Sequence, residues 1–347
     1  MTIWLVRAGG QGEYEERFLR ERRIYLTWEG LGDDLSRLSN RQDLTVLLNQ
    51  NYPDTKPKTI TNWSSQIWPF AKEMKIDDLV VVPLKTQRTI QVGRIRGGYN
   101  FTSEGPDPFF HWREVDWIGE SVPRENFGQD LLHCFGAFMT ICRIQRNQAE
   151  QRIAAMRDNG WRRETLVSVV QDPASTGTLA PDNDLPTDLE EAGMDQISRL
   201  IMARFRGHNL TRLVEGILKA QGYVTYRSPE GADGGADILA GADPLGFGSP
   251  RLCVEVKSEA TPIDRPTVDK LLGAMTKFGA QEGLFVSWSG FKATVQKELA
   301  QSFFRVRLWS QSELLEALFA NYDRLDAKLR AELPLKQIWT VAVPEPE

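Results

Sequence analysis

Segment 231–258 constrains the fold of this chain more than any other part of the sequence. A glycine-rich turn leads to Asp237, which stands directly before the short apolar run 238–240. A loop rich in glycine and proline follows, and after it comes a second strand candidate at 252–257. Two strands joined by such a loop predict a hairpin, and its folding would bring Asp237 beside Glu255.

The alternation of side chains along a strand gives this hairpin a chemical face. Residues two apart point to the same side, so Cys253, Glu255 and Lys257 share one face. Two carboxylates and an amine at a strand edge, with Asp237 as the first carboxylate, predict a site for a divalent metal and a phosphodiester. The alternative is a solvated cluster of ion pairs. We expect Asp233 to form the turn and Cys253 to fill space rather than act as a nucleophile.

Length and composition limit the possible number of domains, the metal sites and the cellular location. A chain of 347 residues with 41% apolar residues predicts at least two globular domains. No run of 18 apolar residues occurs, so we expect no membrane contact. Three cysteines without a CxxC pattern make structural zinc improbable and predict a reducing, cytoplasmic location. The net charge of −5 is compatible with a local basic groove.

The first 125 residues alternate short strand candidates with two helix candidates. This order predicts a small β-barrel with inserted helices. The strand candidates are 3–6, 24–28, 79–84, 89–96 and 112–118, and the helix candidates are 35–51 and 60–75.

Four motifs in this part resemble the PUA-like superfamily, and within it the modified-base readers of the EVE and YTH type. They are Trp28-Glu29-Gly30, Trp68-Pro69-Phe70, the turn and strand 75–83, and the strand 90–95. Asp77 stands where the family has glycine. The resemblance implies an aromatic pocket for one flipped, modified base. Its candidate residues are Trp28, Trp63, Trp68 and Tyr99. Tryptophans at helical spacing beside apolar residues are also typical of a core, and this alternative stays open.

The residue composition changes twice in the middle of the chain. Residues 126–170 have apolar spacing and then arginines, which predict a helical connector. Residues 171–188 are rich in proline, serine, threonine and aspartate, which predicts a linker. We therefore expect a second domain at 189–331, followed by a tail at 332–347.

From Asn209 onward the patterns predict the element order αβββαβαβα. Helix candidates lie at 209–221, 265–278, 292–303 and 312–319, and strand candidates lie at 223–226, 238–240, 252–257, 283–288 and 305–309. Such an order predicts an α/β sandwich with a mixed sheet.

This order and its motifs resemble the Mrr-type catalytic domain of the PD-(D/E)xK nuclease superfamily. The motifs are Gly222-Tyr223, Asp233-Gly234-Gly235-Ala236-Asp237 and Val254-Glu255-Val256-Lys257. The resemblance implies cleavage of DNA with Mg²⁺, which Mn²⁺ can replace, held by Asp237, Glu255 and the backbone carbonyl of Val256. Lys257 would orient or deprotonate the attacking water or neutralise the phosphate, with its pKa lowered by burial near the metal.

Family members often carry an acid on the first helix, and this sequence leaves its position open. Thr211 stands at the aligned place, and Glu215 lies one turn later on the same face as a further candidate ligand. Whether the site holds one metal or two depends on this acid. Lys292 and Ser287 are candidates for contact with the DNA backbone.

Together these expectations predict a modification-dependent, type IV-like restriction endonuclease that acts on modified double-stranded DNA. Cutting both strands with one site per chain favours a homodimer or higher oligomer. Two alternatives remain. The first domain can instead be a ligand sensor or dimerisation module for a sequence-tolerant nuclease, or the whole chain can be a non-catalytic nucleic-acid-binding protein.

Overall fold

The computed structural model describes residues 2–137, 139–164, 189–229, 231, 234–259, 261–292, 294–295 and 302–339. These residues form two compact units. The first extends to Asp195 and the second begins at Gln196. Among the described residues, none of the helices combines the length and the apolar character that crossing a membrane would require.

Unit 1 is built on an open sheet of eight strands. Six of them follow the order β2-β6-β4-β3-β1-β8, while β5 pairs with β6 and β7 pairs with β4. The strands are β1 (Ile3–Val6), β2 (Arg23–Leu26), β3 (Leu79–Leu84), β4 (Thr89–Ile95), β5 (Asn100–Phe101), β6 (His111–Trp117), β7 (Val122–Pro123) and β8 (Ile141–Ile144). The sequence predicted a small β-barrel with inserted helices, whereas the described strands form an open sheet with inserted helices.

The central strands of unit 1 are buried on both faces. Along β1, Trp4 and Val6 pack into one apolar cluster, whereas Ile3 and Leu5 pack into another on the opposite face. This follows from the twofold alternation of side chains on a strand. The helices over the two faces are α1 (Glu15–Glu21), α2 (Arg41–Asn51), α3 (Pro57–Trp68), α4 (Gln129–Phe135) and α5 (Ala149–Asp158).

The turn before β3 has a left-handed residue that is not glycine. Asp77 has φ 71°, in the left-handed region, and its backbone N–H donates to the carbonyl of Ile95 at 2.9 Å. Aspartate tolerates this region better than most residues. The carboxylate of Asp78 then accepts from the Thr2 N–H and from Trp4 Nε1 at 2.9 and 3.0 Å, which fastens the start of the chain to β3.

The expectation of a helical connector at 126–170 is wrong in its middle. Strand β8 separates α4 from α5 and pairs antiparallel with β1, from Ile3 opposite Ile144 to Val6 opposite Ile141. Short apolar runs are ambiguous between helix and strand. Here the pairing with β1 decides for strand, because β1 offers its edge to this segment.

Unit 2 is a mixed sheet of five strands with packed helices, and its described elements follow the predicted order. The strand order is β13-β12-β11-β10-β9; β10 is antiparallel to both neighbours, and β11, β12 and β13 are parallel. The strands are β9 (Val224–Arg227), β10 (Ile238–Gly241), β11 (Arg251–Lys257), β12 (Glu282–Ser287) and β13 (Val306–Trp309). The helices are α6 (Leu189–Arg204), whose first part belongs to unit 1, α7 (His208–Ala220), α8 (Arg265–Phe278), α9 (Gln311–Asn321) and α10 (Ala327–Glu332).

Several expectations fall on residues outside the described ranges. They are the linker 171–188, the end of the connector at 165–170, the turn residue Asp233, the segment 296–301 of the predicted helix at 292–303, and positions 340–347 of the tail.

Candidate active site

The predicted hairpin is present, and its register places Asp237 at the point where the two strands part. Ile238 lies opposite Val254, and the backbone N–H of Asp237 donates to the Val254 carbonyl at 2.9 Å. The next pair in this register is Asp237 and Glu255. The N–H of Val256 donates to Asp237 Oδ2 at 2.7 Å, so the side chain of Asp237 takes the place of a backbone acceptor. This contact fixes the orientation of the Asp237 carboxylate.

Glu255 and Lys257 form an ion pair on the same face of β11. Lys257 Nζ lies 2.6 Å from Glu255 Oε1, and their side chains are 30% and 15% exposed. Burial lowers the pKa of Lys257, but the hydrogen bond and charge of Glu255, together with Asp237 and Glu259, outweigh burial and raise it. The expected lowering referred to burial near a bound metal; among these protein groups the pKa of Lys257 is raised, because Glu255 approaches the amine more closely than the sequence reveals.

Cys253 points to the same side but lies inside the apolar core. It packs in a cluster with Leu271, Met275 and Phe285. Burial, and then the charges of Glu255 and Asp237, raise the pKa of its thiol to about 12. A thiol with this pKa is almost wholly protonated at neutral pH, so Cys253 lacks the thiolate that a nucleophile requires.

The donor set at the end of β10 and β11 fits a hard divalent cation. Asp237 and Glu255 supply carboxylate oxygens, and the Val256 carbonyl lies between Glu255 and Lys257 in the chain. Within the described residues, no group of three or more His, Cys, Asp or Glu side chains is placed to hold a metal. Mg²⁺ is commonly bound through one or two carboxylates and keeps several waters, so a pair of carboxylates is enough for this ion.

Glu215 is not brought together with that pair. Its carboxylate accepts a hydrogen bond from Thr225 Oγ1 at 3.0 Å and forms ion pairs with Lys219 at 2.8 Å and Arg227 at 3.2 Å. These contacts fasten α7 to the edge strand β9. Thr211, the other helix position, is buried in α7.

The two candidates for contact with the DNA backbone have different surroundings. Ser287 is fully buried, and its hydroxyl donates to the Gly290 carbonyl at 2.9 Å, an arrangement that does not present it to DNA. Lys292 is exposed, and its backbone N–H donates to the Ile263 carbonyl at 3.0 Å. Lys292 therefore remains a candidate on grounds of exposure and charge.

The aromatic candidates of unit 1 lie at or in its core. Trp28 and Trp63 are 8% and 4% exposed, and their rings meet edge to face with centroids 6.5 Å apart. Tyr52 meets the other side of Trp63 at 5.1 Å, while the half-buried Trp68 packs against the same cluster. The indole Nε1 of Trp63 is buried and has no hydrogen-bond partner among the described residues.

Tyr99 belongs to a hydrogen-bond chain that includes His111, which we did not identify from the sequence. The Leu31 carbonyl can only accept, so His111 Nε2 donates to it at 2.7 Å. His111 Nδ1 then accepts from the Tyr99 hydroxyl at 2.6 Å, and that oxygen accepts from the Leu35 N–H at 3.2 Å. Burial lowers the pKa of His111. This chain ties the loop after Trp28 to β6.

Comparison with known families decides the character of unit 2. Residues 202–318 match the Mrr_cat family, which is described as restriction endonuclease. The C-terminal part of the chain carries a restriction endonuclease catalytic domain. Residues 4–132 match a family described as a domain of unknown function, DUF8426, so the PUA-like resemblance stays a prediction.

Two solved structures are similar to this chain. One is the DNA modification-dependent restriction endonuclease AspBHI, at 16% identity and a TM-score of 0.33, covering 74% of this chain and 67% of that one. The other is the MspJI restriction endonuclease in complex with a 27-mer oligonucleotide, at 14% identity and a TM-score of 0.30, covering 90% and 73%. Among curated proteins no significant match was found.

Proposed function

We propose that this chain is a metal-dependent DNA endonuclease whose active site consists of Asp237, Glu255 and Lys257. The proposal rests mainly on the geometry at the end of the β10–β11 hairpin. There the carboxylate of Asp237 is held by the Val256 N–H, and Lys257 lies 2.6 Å from Glu255 within a restriction endonuclease domain. The alternative of a solvated ion-pair cluster gives no reason for a carboxylate that replaces a backbone acceptor between two strands.

Each residue has a separate role in the proposed hydrolysis. Asp237 and Glu255, with the Val256 carbonyl, would hold Mg²⁺ or Mn²⁺. Such an ion, when bound, lowers the pKa of a coordinated water and offsets charge on the phosphoryl oxygens. Lys257 is positioned by Glu255 and carries a positive charge toward the attacked phosphate. Because the ion pair with Glu255 at 2.6 Å favours the charged ammonium group, we favour orientation of water and neutralisation of charge over proton abstraction by Lys257.

The test is cleavage of plasmid DNA in titrations with Mg²⁺ and with Mn²⁺. Asp237→Asn and Lys257→Ala should each abolish metal-dependent cutting, and EDTA should stop the wild-type protein. Both variants should still bind duplex DNA. Cutting at the wild-type rate by either variant would remove these residues from the active site. Wild-type protein that binds DNA but cuts it with neither metal would instead favour the non-catalytic alternative.

We further propose that unit 1 reads a flipped, modified base through the aromatic cluster around Trp28 and Trp63. The buried Trp63 Nε1 supports this proposal, because it lacks an acceptor among the described residues and a base carbonyl or ring nitrogen can supply one. A stacked aromatic pocket would also offset the few kcal/mol of stacking that a base loses on leaving the duplex. Trp68 and Tyr99, at the edge of the cluster, are further candidates.

A matched pair of tryptophan variants tests the reader. Trp63→Phe removes the N–H donor but keeps an aromatic ring, and it should lower the preference for modified over plain DNA. Trp117→Phe makes the same chemical change at a second buried indole nitrogen without a partner among the described residues, and it should leave the preference intact. Substrates carrying methylcytosine, hydroxymethylcytosine, glucosylated cytosine or no modification also identify the base.

The second candidate for unit 1 is a ligand sensor or dimerisation module. Wild-type protein that cuts all four substrates equally would favour it over a base reader. The proposed homodimer or higher oligomer is tested by light scattering with and without duplex DNA. A monomer that makes double-strand breaks only through a nicked intermediate would contradict it.

A further inference from the structure

One flank of α8 faces the turn that leads to Asp237. A Cβ atom placed on Gly235 would lie 3.5 Å from the Ala274 Cβ, so Ala274 faces the turn at a distance that leaves room for little more than a glycine. Lys277 Nζ donates to the Gly234 carbonyl at 2.9 Å. Ala274 and Lys277 define the turn-facing flank of α8.

Lys270 lies on the same flank. Positions 270, 274 and 277 follow the spacing of i, i+4 and i+7, which places side chains along one side of a helix. The side chain of Lys270 is exposed and makes no hydrogen bond or ion pair within the described part of the chain. By contrast, the neighbouring Asp269 is paired with Arg265 at 2.7 Å. The flank therefore presents a cation that no acid of the described residues neutralises.

Lys270 also lies toward the Glu255 end of the sheet. Because β11 and β12 are parallel, α8 between them runs antiparallel to both. A Cβ on Gly283, which is opposite Cys253, would lie 2.6 Å from Met275 Sδ and 3.2 Å from Leu271 Cδ2, so Cys253 is level with the turn of α8 from Leu271 to Met275. Lys270 directly precedes that turn. Glu255 is about 6.6 Å from Cys253 along the strand, in the same direction.

The charges of the active site make such a cation useful. Asp237, Glu255 and Glu259 carry three negative charges at this end of the sheet, and Lys257 and Lys277 offset two of them. A DNA backbone that approaches the site meets a net negative field, apart from the charge of a bound metal. An exposed lysine on a rigid helix beside the site can hold a neighbouring phosphate at low cost.

We propose that Lys270 binds a backbone phosphate of the DNA substrate next to the phosphodiester that is cut. The proposal rests on the nuclease function proposed above and adds a residue outside its catalytic triplet. The contact is to a phosphate, so it positions the duplex without reading its sequence or its modification.

The test is the salt dependence of binding. The full-length chain is mixed with a fluorescently labelled plain duplex in EDTA, and anisotropy gives the association constant over a series of KCl concentrations. Loss of one phosphate contact in Lys270→Ala should reduce the steepness of log K against log salt by about 0.9. Lys270→Arg keeps the charge and should keep the wild-type slope.

Lys328→Ala is the matched control. Lys328 is exposed on α10, which packs through Leu329 against Gly216 of α7 rather than against the turn before Asp237. An unchanged slope for Lys270→Ala, or an equal loss for Lys328→Ala, would overturn the proposal while metal-dependent cutting by the wild type keeps the nuclease assignment. If Lys270→Ala shows the expected slope change but the wild-type protein never cuts DNA, Lys270 contacts a phosphate and the proposed nuclease activity is rejected. A chain that binds no duplex rejects both.

Discussion

At the scale of single residues, the surroundings of each acid decide what it can do. Asp237 and Glu255 meet at the parted end of a hairpin, where the Asp237 carboxylate accepts from the Val256 N–H and Glu255 pairs with Lys257. Glu215 is surrounded by three donors, from Thr225, Lys219 and Arg227. A carboxylate held in this way stabilises the packing of α7 on β9. It would have to give up these contacts to bind a metal.

We therefore expect Glu215→Gln and Glu255→Gln to behave differently. Glu215→Gln should leave the metal concentration for half-maximal cleavage unchanged and should lower the free energy of unfolding by about 1–3 kcal/mol, because Arg227 loses its partner. Glu255→Gln should raise the metal concentration for half-maximal cleavage, since it removes one negative charge from the proposed metal ligands. Metal titrations of cleavage and urea denaturation of both variants separate the effects. A raised metal requirement in Glu215→Gln would make Glu215 a ligand.

The buried His111 predicts a pH dependence of stability. Burial lowers the pKa of His111 below its ordinary value of 6.5, so the folded protein favours the neutral ring. The unfolded chain then binds more protons as the pH falls below about 6.5, and stability decreases toward the lower folded pKa. His111→Gln should flatten the decline in the free energy of unfolding below pH 6.5, measured by urea denaturation. His133→Gln changes an exposed histidine and should keep the wild-type slope.

The sequence predicted contacts between active-site residues that are close to each other along the chain. The two-residue spacing of Glu255 and Lys257 already places them on one face. The pKa of Lys257 could not be predicted, because it is a balance between burial and one contact at 2.6 Å. The partners of Glu215 depend on where β9 lies against α7, and the chemistry of the residue itself does not reveal this.

At the scale of elements, helix α6 is fastened to unit 1 by a buried charge network. Arg124 makes a bidentate pair with Asp195 at 2.8 and 2.7 Å, and Arg88 adds a third contact at 3.0 Å. Arg124 also lies 2.8 Å from Glu191, one turn earlier in the helix. Guanidinium groups in this setting depend on the two acids of α6 for compensation of their charge.

We expect Asp195→Ala to destabilise unit 1 by about 3–5 kcal/mol, because it leaves two buried guanidinium groups without their shared acid. The control is Asp116→Ala, which breaks an exposed pair with Arg96 and should cost less than about 1 kcal/mol. Urea denaturation followed by tryptophan fluorescence, which reports on the tryptophan-rich unit 1, measures both. Equal losses in the two variants would contradict a structural role for the network.

Helices and strands could be predicted from the sequence when their apolar spacing extended over many residues. The helix at 265–278 was expected from its pattern and is present as α8 with the same bounds. The ion pairs of α6 could not be expected in this way, since Arg124 and Arg88 lie 71 and 107 positions away from Asp195. Strand β8 has four residues, and its pairing with β1 spans most of unit 1, so no local pattern could separate it from the helices on either side.

At the scale of the whole molecule, reading and cutting are proposed for different compact units. The aromatic cluster belongs to the residues before Asp195, and Asp237, Glu255 and Lys270 belong to those after Gln196. Substitutions at distant sites without shared partners change free energies almost additively. Two variants, one in each unit, can therefore test whether recognition of the modification and attachment to the backbone are separate.

Lys270→Ala should weaken binding to plain and modified duplexes by the same factor, because a phosphate is present in both. Trp63→Phe should weaken binding only to the modified duplex. In the double variant the two changes in binding free energy should add to within about 0.5 kcal/mol. Anisotropy titrations of the wild type, both single variants and the double variant, with both duplexes in EDTA, give the coupling directly. A coupling well above that value would mean that the base reader and the nuclease unit hold the DNA in one interdependent arrangement, so that displacing the backbone at Lys270 also displaces the flipped base.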